Sequence, residues 1–257
     1  MDARTKLTVA YLGGGFSGWQ RQNTVRTVQG DLERAVENLT GVEHVAVVGA
    51  GRTDAGVHAV AQVAHFDLPV PIPPDMLPKL LNSRLAWDLR VRCAREVPDS
   101  FHARKSARGK HYAYRVSWQP ADLPWRHLRS ATMPTVVKVD ALEDACRLFC
   151  GRHDWSSFTV PEVARRGAVR MVFRVDPVWR RAGLEIHVLG EGFLRYQVRR
   201  MVGALLAVGG GRMTTDDIVD LLDHPRPGAP LPTAPASGLS LERVYYRSSP
   251  RIEDARS

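Results

Sequence analysis

Apolar positions in the first half of the chain recur with two different periods, which predict strands and helices in turn. Residues 6–12 are apolar at every second position, as in a half-buried strand. Residues 28–41 are apolar at every third or fourth position and end in Gly41, as in an amphipathic helix. The same patterns predict strands over 44–50, 60–68 and 88–97 and a helix over 75–85. The order βαββαβ is that of the split ferredoxin-like unit.

The second half repeats this order of elements without residue-level identity to the first. Strands are predicted over 110–118, 170–180, 184–191 and 241–247, and helices over 139–151, 194–209 and 214–222. The helix 139–151 should turn Leu142, Cys146 and Phe149 inward. Either Thr214 or Thr215 should begin the last helix.

These patterns predict an α+β fold built from two ferredoxin-like halves. The N-terminal half is placed at 1–106 and the C-terminal half at 107–247, with a loose tail over 248–257. Two such sheets side by side would leave a cleft, which is a favoured place for a site.

Composition and charge narrow the class of protein. The chain carries 36 Lys and Arg against 27 Asp and Glu, a net charge of +9 that favours a polyanionic partner, nucleic acid first. Three cysteines without a paired framework indicate a reducing compartment, the cytoplasm. The first residues do not resemble a signal peptide, and the longest apolar run, 201–211, is shorter than the roughly 20 residues that a membrane span needs.

The stretch GAGRTDAGVHA, residues 49–59, combines glycines with one charged pair. It lies between two predicted strands, where functional groups are commonly displayed, and its glycines would let a large ligand approach the backbone. Arg52 would hold Asp54 ionised, as a carboxylate nucleophile or base. A glycine-rich turn with a surface ion pair, worth little energetically, explains the same residues equally well on chemistry alone.

Basic and aromatic residues mark further candidate sites. The loop 11–22 lacks the spacing of a nucleotide-phosphate cradle, but Trp19, Arg21 and Arg26 suit contacts to RNA bases and phosphates. The segment 101–115 is rich in Arg and Lys, has no acid and ends in a strand that carries Tyr112 and Tyr114. Tyr114 is better explained as a core residue, whereas Tyr112 is open to either role.

Metal binding and a catalytic triad are not expected. Cys146, Cys150 and His153 have a C-x3-C-x2-H spacing but no fourth ligand, and the two cysteines are better explained as core residues of a helix.

Several blocks together resemble the TruA family of tRNA pseudouridine synthases. They are GWQRQ (18–22), TVQ (27–29), GRTDAGVHA (51–59), FHAR (101–104), Tyr-x-Tyr (112–114) and FLRYQVRRMVG (193–203), in order and at similar spacing. The resemblance implies isomerisation of uridines in the tRNA anticodon arm, without cofactor or metal, by a homodimer in which one tRNA touches both subunits. It also implies that the two halves join into one continuous mixed, mainly antiparallel sheet with flanking helices and a central cleft.

The resemblance also implies roles for individual residues. Asp54 would be the catalytic residue, Arg52 would pair with it, Arg199 would face it, and Tyr112 would stack near the target uracil and act as a base. The other substrate-binding positions that it implies are Trp19, Arg21, Gln22, Arg26, His58, Phe101, His102, Arg104, Lys110 and Phe193. The chain departs from the family pattern at Leu12, Ala61, Gln197 and Arg200, which bears on details of tRNA contact.

Two other functions compete with this hypothesis. A non-catalytic RNA-binding protein of tandem RRM-like modules would need paired aromatics on a central strand, for which only Tyr112 and Tyr114 are available. A small-molecule hydrolase with an Asp nucleophile is disfavoured by the positive charge and the basic loops.

Overall fold

The computed structural model of the protein describes residues 3–118, 128–132 and 138–246. They form two compact units, one of residues 3–108 together with 241–246 and one of residues 109–240. The predicted halves also divide near residue 107, but the last strand, predicted for the second half, groups with the first unit. The limits 1–106 and 107–247 therefore stay a prediction, and the predicted tail, 248–257, lies outside the described residues.

The first unit has the predicted order of elements. Its strands and helices are β1 (Ala3–Tyr11), α1 (Val28–Thr40), β2 (Val48–Gly49), β3 (His58–Leu68), α2 (Leu77–Asn82) and β4 (Leu89–Glu96). Strands β4, β1 and β3 are neighbours in an antiparallel sheet, with Leu7 opposite both Ala64 and Ala94. The last strand within the described residues, β10 (Leu239–Tyr245), lies on the other side of β3.

The second strand is much shorter than predicted, two residues instead of the stretch 44–50. Directly before β2, the backbone N–H of Val47 donates to a carboxylate oxygen of Glu33 on α1 at 3.2 Å. The alternating burial of Val45 and Val47 therefore arises in a loop that contacts α1 and not in a strand.

Helix α1 begins and ends where the sequence predicts. The side chain of Thr27 accepts a hydrogen bond from the N–H of Gly30, and Gly41 adopts a left-handed conformation with φ of 73° that closes the helix. Val28, Leu32 and Val36 are fully buried on its inner face. The helix therefore has a fixed start directly after the loop that carries the GWQRQ block.

The second unit is also α+β, with a mixed sheet. Its elements are β5 (Gly109–Ser117), β6 (Ala131–Thr132), α3 (Val139–Leu148), β7 (Gly151–Asp154), α4 (Pro161–Ala164), β8 (Val169–Arg180), β9 (Gly183–Gly190), α5 (Gln197–Gly209) and α6 (Thr215–Asp223). The strand order is β5-β9-β8-β7, all antiparallel, while β6 pairs with β5 in parallel. The short elements β6, β7 and α4 were not predicted.

The core of the second unit matches the sequence patterns. Leu142, Cys146 and Phe149 are all buried, as the helical spacing of α3 predicts. The α+β fold with mixed, mainly antiparallel β-structure is therefore confirmed, whereas the internal repeat stays a prediction. Among the described residues, no helix is both long and apolar enough to cross a membrane.

Thr214, rather than Thr215, caps helix α6. Its backbone N–H donates to Asp217 at 2.7 Å, and its hydroxyl accepts from the N–H of Asp217 at 3.2 Å, a reciprocal capping box. We expect Thr214→Ala to lower the free energy of unfolding by about 1 kcal/mol. Thr215→Ala is the matched control in urea titrations followed by circular dichroism, because alanine is well tolerated inside a helix. Equal losses in the two variants would contradict the capping assignment.

Candidate active site

Asp54 lies on a short loop between β2 and β3 whose first residues are hydrogen-bonded to β3. The N–H of Ala50 donates to Val63 O at 2.7 Å, and the side-chain amide of Gln62 donates to Gly51 O at 2.9 Å. The carbonyl of Asp54 accepts from the N–H of Val57 at 3.1 Å, which makes a turn over these residues. The Asp54 side chain is half-buried, on a backbone with little freedom to move.

A second loop, residues 12–19, packs its backbone against this turn. Gly18 has φ of 89°, and a Cβ there would lie 2.8 Å from the carbonyl oxygen of Thr53. A Cβ on Gly13 would lie 2.1 Å from the carbonyl oxygen of Val57. Glycine is needed at both positions because the two backbones touch. Gly13 and Gly18 thus allow the two loops to contact each other, while ligand approach over the glycines of 49–59 stays a prediction.

A buried hydrogen bond between two hydroxyl groups helps to hold the Asp54 loop in place. The hydroxyls of Tyr11 and Thr53 are hydrogen-bonded at 2.9 Å. Burial raises the pKa of Tyr11 to about 12, so its hydroxyl stays protonated at neutral pH. A neutral hydrogen bond therefore fixes the residue directly before Asp54.

Trp19 and His58, predicted to contact RNA, are buried in the packing of these loops. Trp19 is 2% exposed, and its indole fills the space beside Gly49, where a Cβ would come within 2.5 Å of the ring. His58 is 4% exposed, and its Nδ1 accepts from the N–H of Gly13 at 3.0 Å. The structure therefore gives both residues a supporting role; direct contact with RNA stays a prediction.

Arg26, also predicted to contact RNA, is engaged within the protein. It bonds to Asp31 at 2.8 Å and to Asp88 at 2.7 Å, and its guanidinium lies 4.1 Å from the centre of the Phe16 ring. Its hydrogen bonds to Asp88 hold the pKa of that carboxyl below its usual value. Arg26 thus links α1 and the segment before β4 to the loop 12–19.

The exposed polar residues of the GWQRQ block and Arg52 of the GRTDAGVHA block form ion pairs and hydrogen bonds within the protein. Arg21 pairs with Glu33 at 3.1 Å, and the amide of Gln22 donates to Ser17 O at 3.1 Å. Nε of Arg52 donates to the side-chain oxygen of Gln20 at 3.0 Å. The contact that the structure records for Arg52 is with an amide; its predicted pairing with Asp54 stays a prediction.

The FHAR block forms a tight turn after β4. Nδ1 of His102 accepts from the backbone N–H groups of both Arg104 and Lys105 at 3.2 Å. The Phe101 ring packs on Tyr246 with centroids 5.0 Å apart, and the His102 ring lies 4.9 Å from that of His65. Arg104 and Lys105 are exposed at the end of the turn.

A pocket of about 620 Å³ lies beside the Asp54 loop in the first unit. Its lining comes from three segments, 19–20, 47–52 and 102–105, together with Gln29. Arg52, Arg104 and Lys105 line it, and none of the lining residues carries a carboxylate. Sequence reasoning did not assign Gln20 or Gln29 to a site, although they stand inside the GWQRQ and TVQ blocks, and it included Lys105 only as part of the basic segment 101–115.

Tyr112, Arg199, Lys110 and Phe193 belong to the second unit. Tyr112 on β5 is 7% exposed and meets Phe193 edge to face with centroids 5.4 Å apart. Nε of Arg199, on α5, donates to Ala234 O at 2.8 Å, and Lys110 is half-buried on β5. Tyr196 has φ of 63° at the start of α5, so the chain turns sharply just before Arg199.

Tyr114 and Cys146 are core residues, as the sequence predicts, whereas Cys150 lies beyond the end of α3 and is half-buried, so its assignment to the helix core is wrong. The Tyr114 ring is fully buried and its hydroxyl donates to Pro235 O at 2.9 Å. Cys146 lies on the buried face of α3, and this burial raises the pKa of its thiol. Among the described residues no group of three or more His, Cys, Asp or Glu side chains is arranged to hold a metal ion.

Comparison with known proteins identifies the family. The family model for tRNA pseudouridine synthase matches residues 7–104 and 145–247. The chain is 40% identical to tRNA pseudouridine synthase A of Anoxybacillus flavithermus over 95% of this chain and 98% of that protein. It is 41% identical to tRNA pseudouridine synthase A of Nitrobacter winogradskyi over 96% of each chain.

The chain therefore belongs to the tRNA pseudouridine synthase family, a family of isomerases. A chain in the crystal structure of a Cbf5-Nop10-Gar1 complex covers 92% of this chain and 48% of its own length, at 13% identity and a TM-score of 0.40. That likeness is too low to add to the assignment.

Contact between the two loops makes Gly13 sensitive to substitution. We expect Gly13→Ala to destabilise the protein by about 1–3 kcal/mol, the usual range for overpacking, because its new methyl would meet the Val57 backbone. Gly14→Ala is the matched control, since a Cβ there has nothing within 4 Å. Urea titration of both variants checks this, and similar midpoints would contradict the close packing.

The Arg26–Asp88 pair should make stability depend on pH. Because the folded-state pKa of Asp88 is lowered, its contribution is fully present above the unfolded pKa of about 3.9 and is lost as the pH falls through the folded value. We expect the difference in unfolding free energy between wild type and Asp88→Asn to be constant near neutral pH. It should shrink below about pH 4, in urea titrations at a series of pH values. A difference that persists unchanged into strong acid would contradict the pairing.

Proposed function

We propose that the protein isomerises uridines in the anticodon arm of tRNA to pseudouridine, with Asp54 as the catalytic carboxylate. The observation that carries this proposal is the position of Asp54, half-buried on a turn that a second loop clamps, in a chain that belongs to the tRNA pseudouridine synthase family. A fixed carboxylate of this kind suits attack on, or proton removal from, a substrate held in one place.

The reaction explains which groups are needed. The bond between C1′ and N1 of uridine breaks, a bond between C1′ and C5 forms, C5 loses its proton and N1 gains one. A carboxylate near C1′ or C6 and a base for the C5 proton would serve these steps, and an enclosed site would retain the detached uracil. The isomerisation transfers no electrons, so its balance calls for no redox cofactor.

Roles for the other candidates follow from the family resemblance. Tyr112 would stack near the uracil and act as the base, supported in its position by Phe193. Arg199 would be the cation that faces Asp54. Pairing of Arg52 with Asp54 would use the terminal nitrogens of its guanidinium, because its Nε donates to Gln20.

The target nucleotide must leave the base stack to reach Asp54, at a cost of a few kcal/mol. The net charge of +9 favours binding of a polyanionic substrate. The attraction between the phosphates of the substrate and the basic residues of the protein would offset the cost of unstacking. We also propose a homodimer and a cytoplasmic location, as the resemblance and a tRNA substrate imply.

The RRM-like alternative is disfavoured by one observation. An RRM platform needs two aromatic rings exposed on one sheet face, but Tyr114 is fully buried and hydrogen-bonded to Pro235. Membership in an enzyme family also favours the catalytic function.

Asp54→Ala tests the proposal in an assay that measures tritium released from C5 of labelled uridine in tRNA. We expect turnover to fall by a factor of about 10⁴ or more, as when a covalent nucleophile is removed, while tRNA binding survives. Asp54→Asn keeps the shape and removes the charge, and should be equally inactive. Asp75→Asn, at an exposed acid of the same unit, is the control and should turn over normally. Full activity of the Asp54 variants would end the assignment.

A further inference from the structure

We propose that the pocket beside the Asp54 loop binds a phosphodiester of the tRNA strand next to the target uridine. This inference rests on the proposed function, since it names the part of the substrate that the pocket holds. Lys105 thereby joins the residues that would contact RNA, and Gln20 and Gln29 join those that would position Arg52.

The charged residues that line the pocket favour an anionic ligand. Arg52, Arg104 and Lys105 are exposed along its lining, and no lining residue is acidic. Glu33 lies nearby but is buried: its Oε1 accepts from the Gln29 amide at 2.9 Å and from the Val47 N–H at 3.2 Å, and its Oε2 pairs with Arg21 at 3.1 Å. Arg21 therefore compensates the charge of Glu33, and the charge of the pocket lining is positive.

Arg52 is held by a chain of side-chain hydrogen bonds that starts at Glu33. Glu33 accepts from Nε2 of Gln29 at 2.9 Å, Gln29 accepts from Nε2 of Gln20 at 2.7 Å, and Gln20 accepts from Nε of Arg52 at 3.0 Å. This contact uses one of the five N–H groups of the guanidinium, so the terminal nitrogens keep donors for two phosphate oxygens. Arg52 can bind an anion in this way without leaving Gln20.

The other two cations stand on a turn of fixed shape. Nδ1 of His102 accepts from the N–H groups of Arg104 and Lys105, each at 3.2 Å. A buried hydrogen bond at 3.2 Å joins the N–H of Ala103 to Nδ1 of His65. Two consecutive cations are thus presented from a backbone that is already ordered, which lowers the entropy lost when a ligand binds.

Size and position identify the anion as part of an RNA strand. A volume of about 620 Å³ is larger than a lone phosphate needs and admits a nucleotide unit. Arg52 stands two residues from Asp54, so their Cα atoms are at most about 7 Å apart. A strand whose uridine reaches Asp54 therefore has a neighbouring phosphate within range of this pocket.

Lys105→Ala and the double variant Arg104→Ala/Lys105→Ala test the inference. The matched control is Lys79→Ala, which removes one exposed positive charge from α2, away from the pocket lining. The dissociation constant for tRNA is measured over a series of salt concentrations, with KM and kcat from tritium release. We expect Lys105→Ala to weaken binding about 3- to 10-fold and to reduce the salt slope by about 1, with a larger change in the double variant. KM should rise and kcat at saturating tRNA should stay unchanged.

The outcomes separate this inference from the proposed function. If Lys105→Ala matches Lys79→Ala in affinity and salt slope while wild type turns over, the pocket does not hold a phosphate. If wild type releases no tritium but the difference in slope persists, the proposed reaction is wrong and the pocket stands as an RNA site. Circular dichroism and urea titration of each variant show that it is folded.

Gln20 is a positioning residue in this scheme, and a double-mutant cycle tests it. Gln20→Ala should weaken tRNA binding by less than Arg52→Ala does, and should add nothing in a chain that already carries Arg52→Ala. A residue with a merely structural role would add its own effect in both backgrounds. Additive losses would therefore overturn the positioning role.

Discussion

The close contact of two backbones supports the candidate site. The loop 12–19 and the turn 53–57 touch without intervening side chains, because Gly13 and Gly18 lack a Cβ. Two backbone hydrogen bonds join the segments, Trp19 N to Thr53 O at 3.1 Å and Gly56 N to Phe16 O at 3.4 Å, and one further bond closes a turn within each segment. Asp54 consequently lies on a double layer of main chain, which is stiffer than an isolated loop of the same composition.

Stiffness of this kind matters for the proposed chemistry. A carboxylate that reacts with a ribose or ring carbon must sit within a few tenths of an ångström of its place, and free loops rarely provide that. Here the hydroxyl pair of Tyr11 and Thr53 and the amide of Gln62 fix the turn from the protein side. The Asp54 side chain is half-buried, and Arg52 of the same loop is exposed to solvent.

Sequence patterns predicted most elements, because periodicity reports burial directly. They failed at β2, where the alternating burial of Val45 and Val47 in a loop imitates the pattern of a strand. The candidate residues were found by type, so Asp54 and Arg52 were named correctly as members of one loop. Spacing could not show that Arg26 has carboxylate partners at Asp31 and Asp88, or that Trp19 fills the space above Gly49.

The buried Glu33 fixes the direction of every hydrogen bond in the chain from Gln29 through Gln20 to Arg52. An ionised carboxylate can only accept, so Gln29 must turn its nitrogen toward it and its oxygen away, and Gln20 must follow in the same sense. The side-chain oxygen of Gln20 therefore faces position 52. It accepts a hydrogen bond from Arg52, and a carboxylate at that position would be repelled by it. The negative charge of Glu33 on α1 thus orients the side chains of Gln29 and Gln20. This orientation favours a hydrogen-bond donor such as Arg52 at the exposed end of the chain, two residues from Asp54.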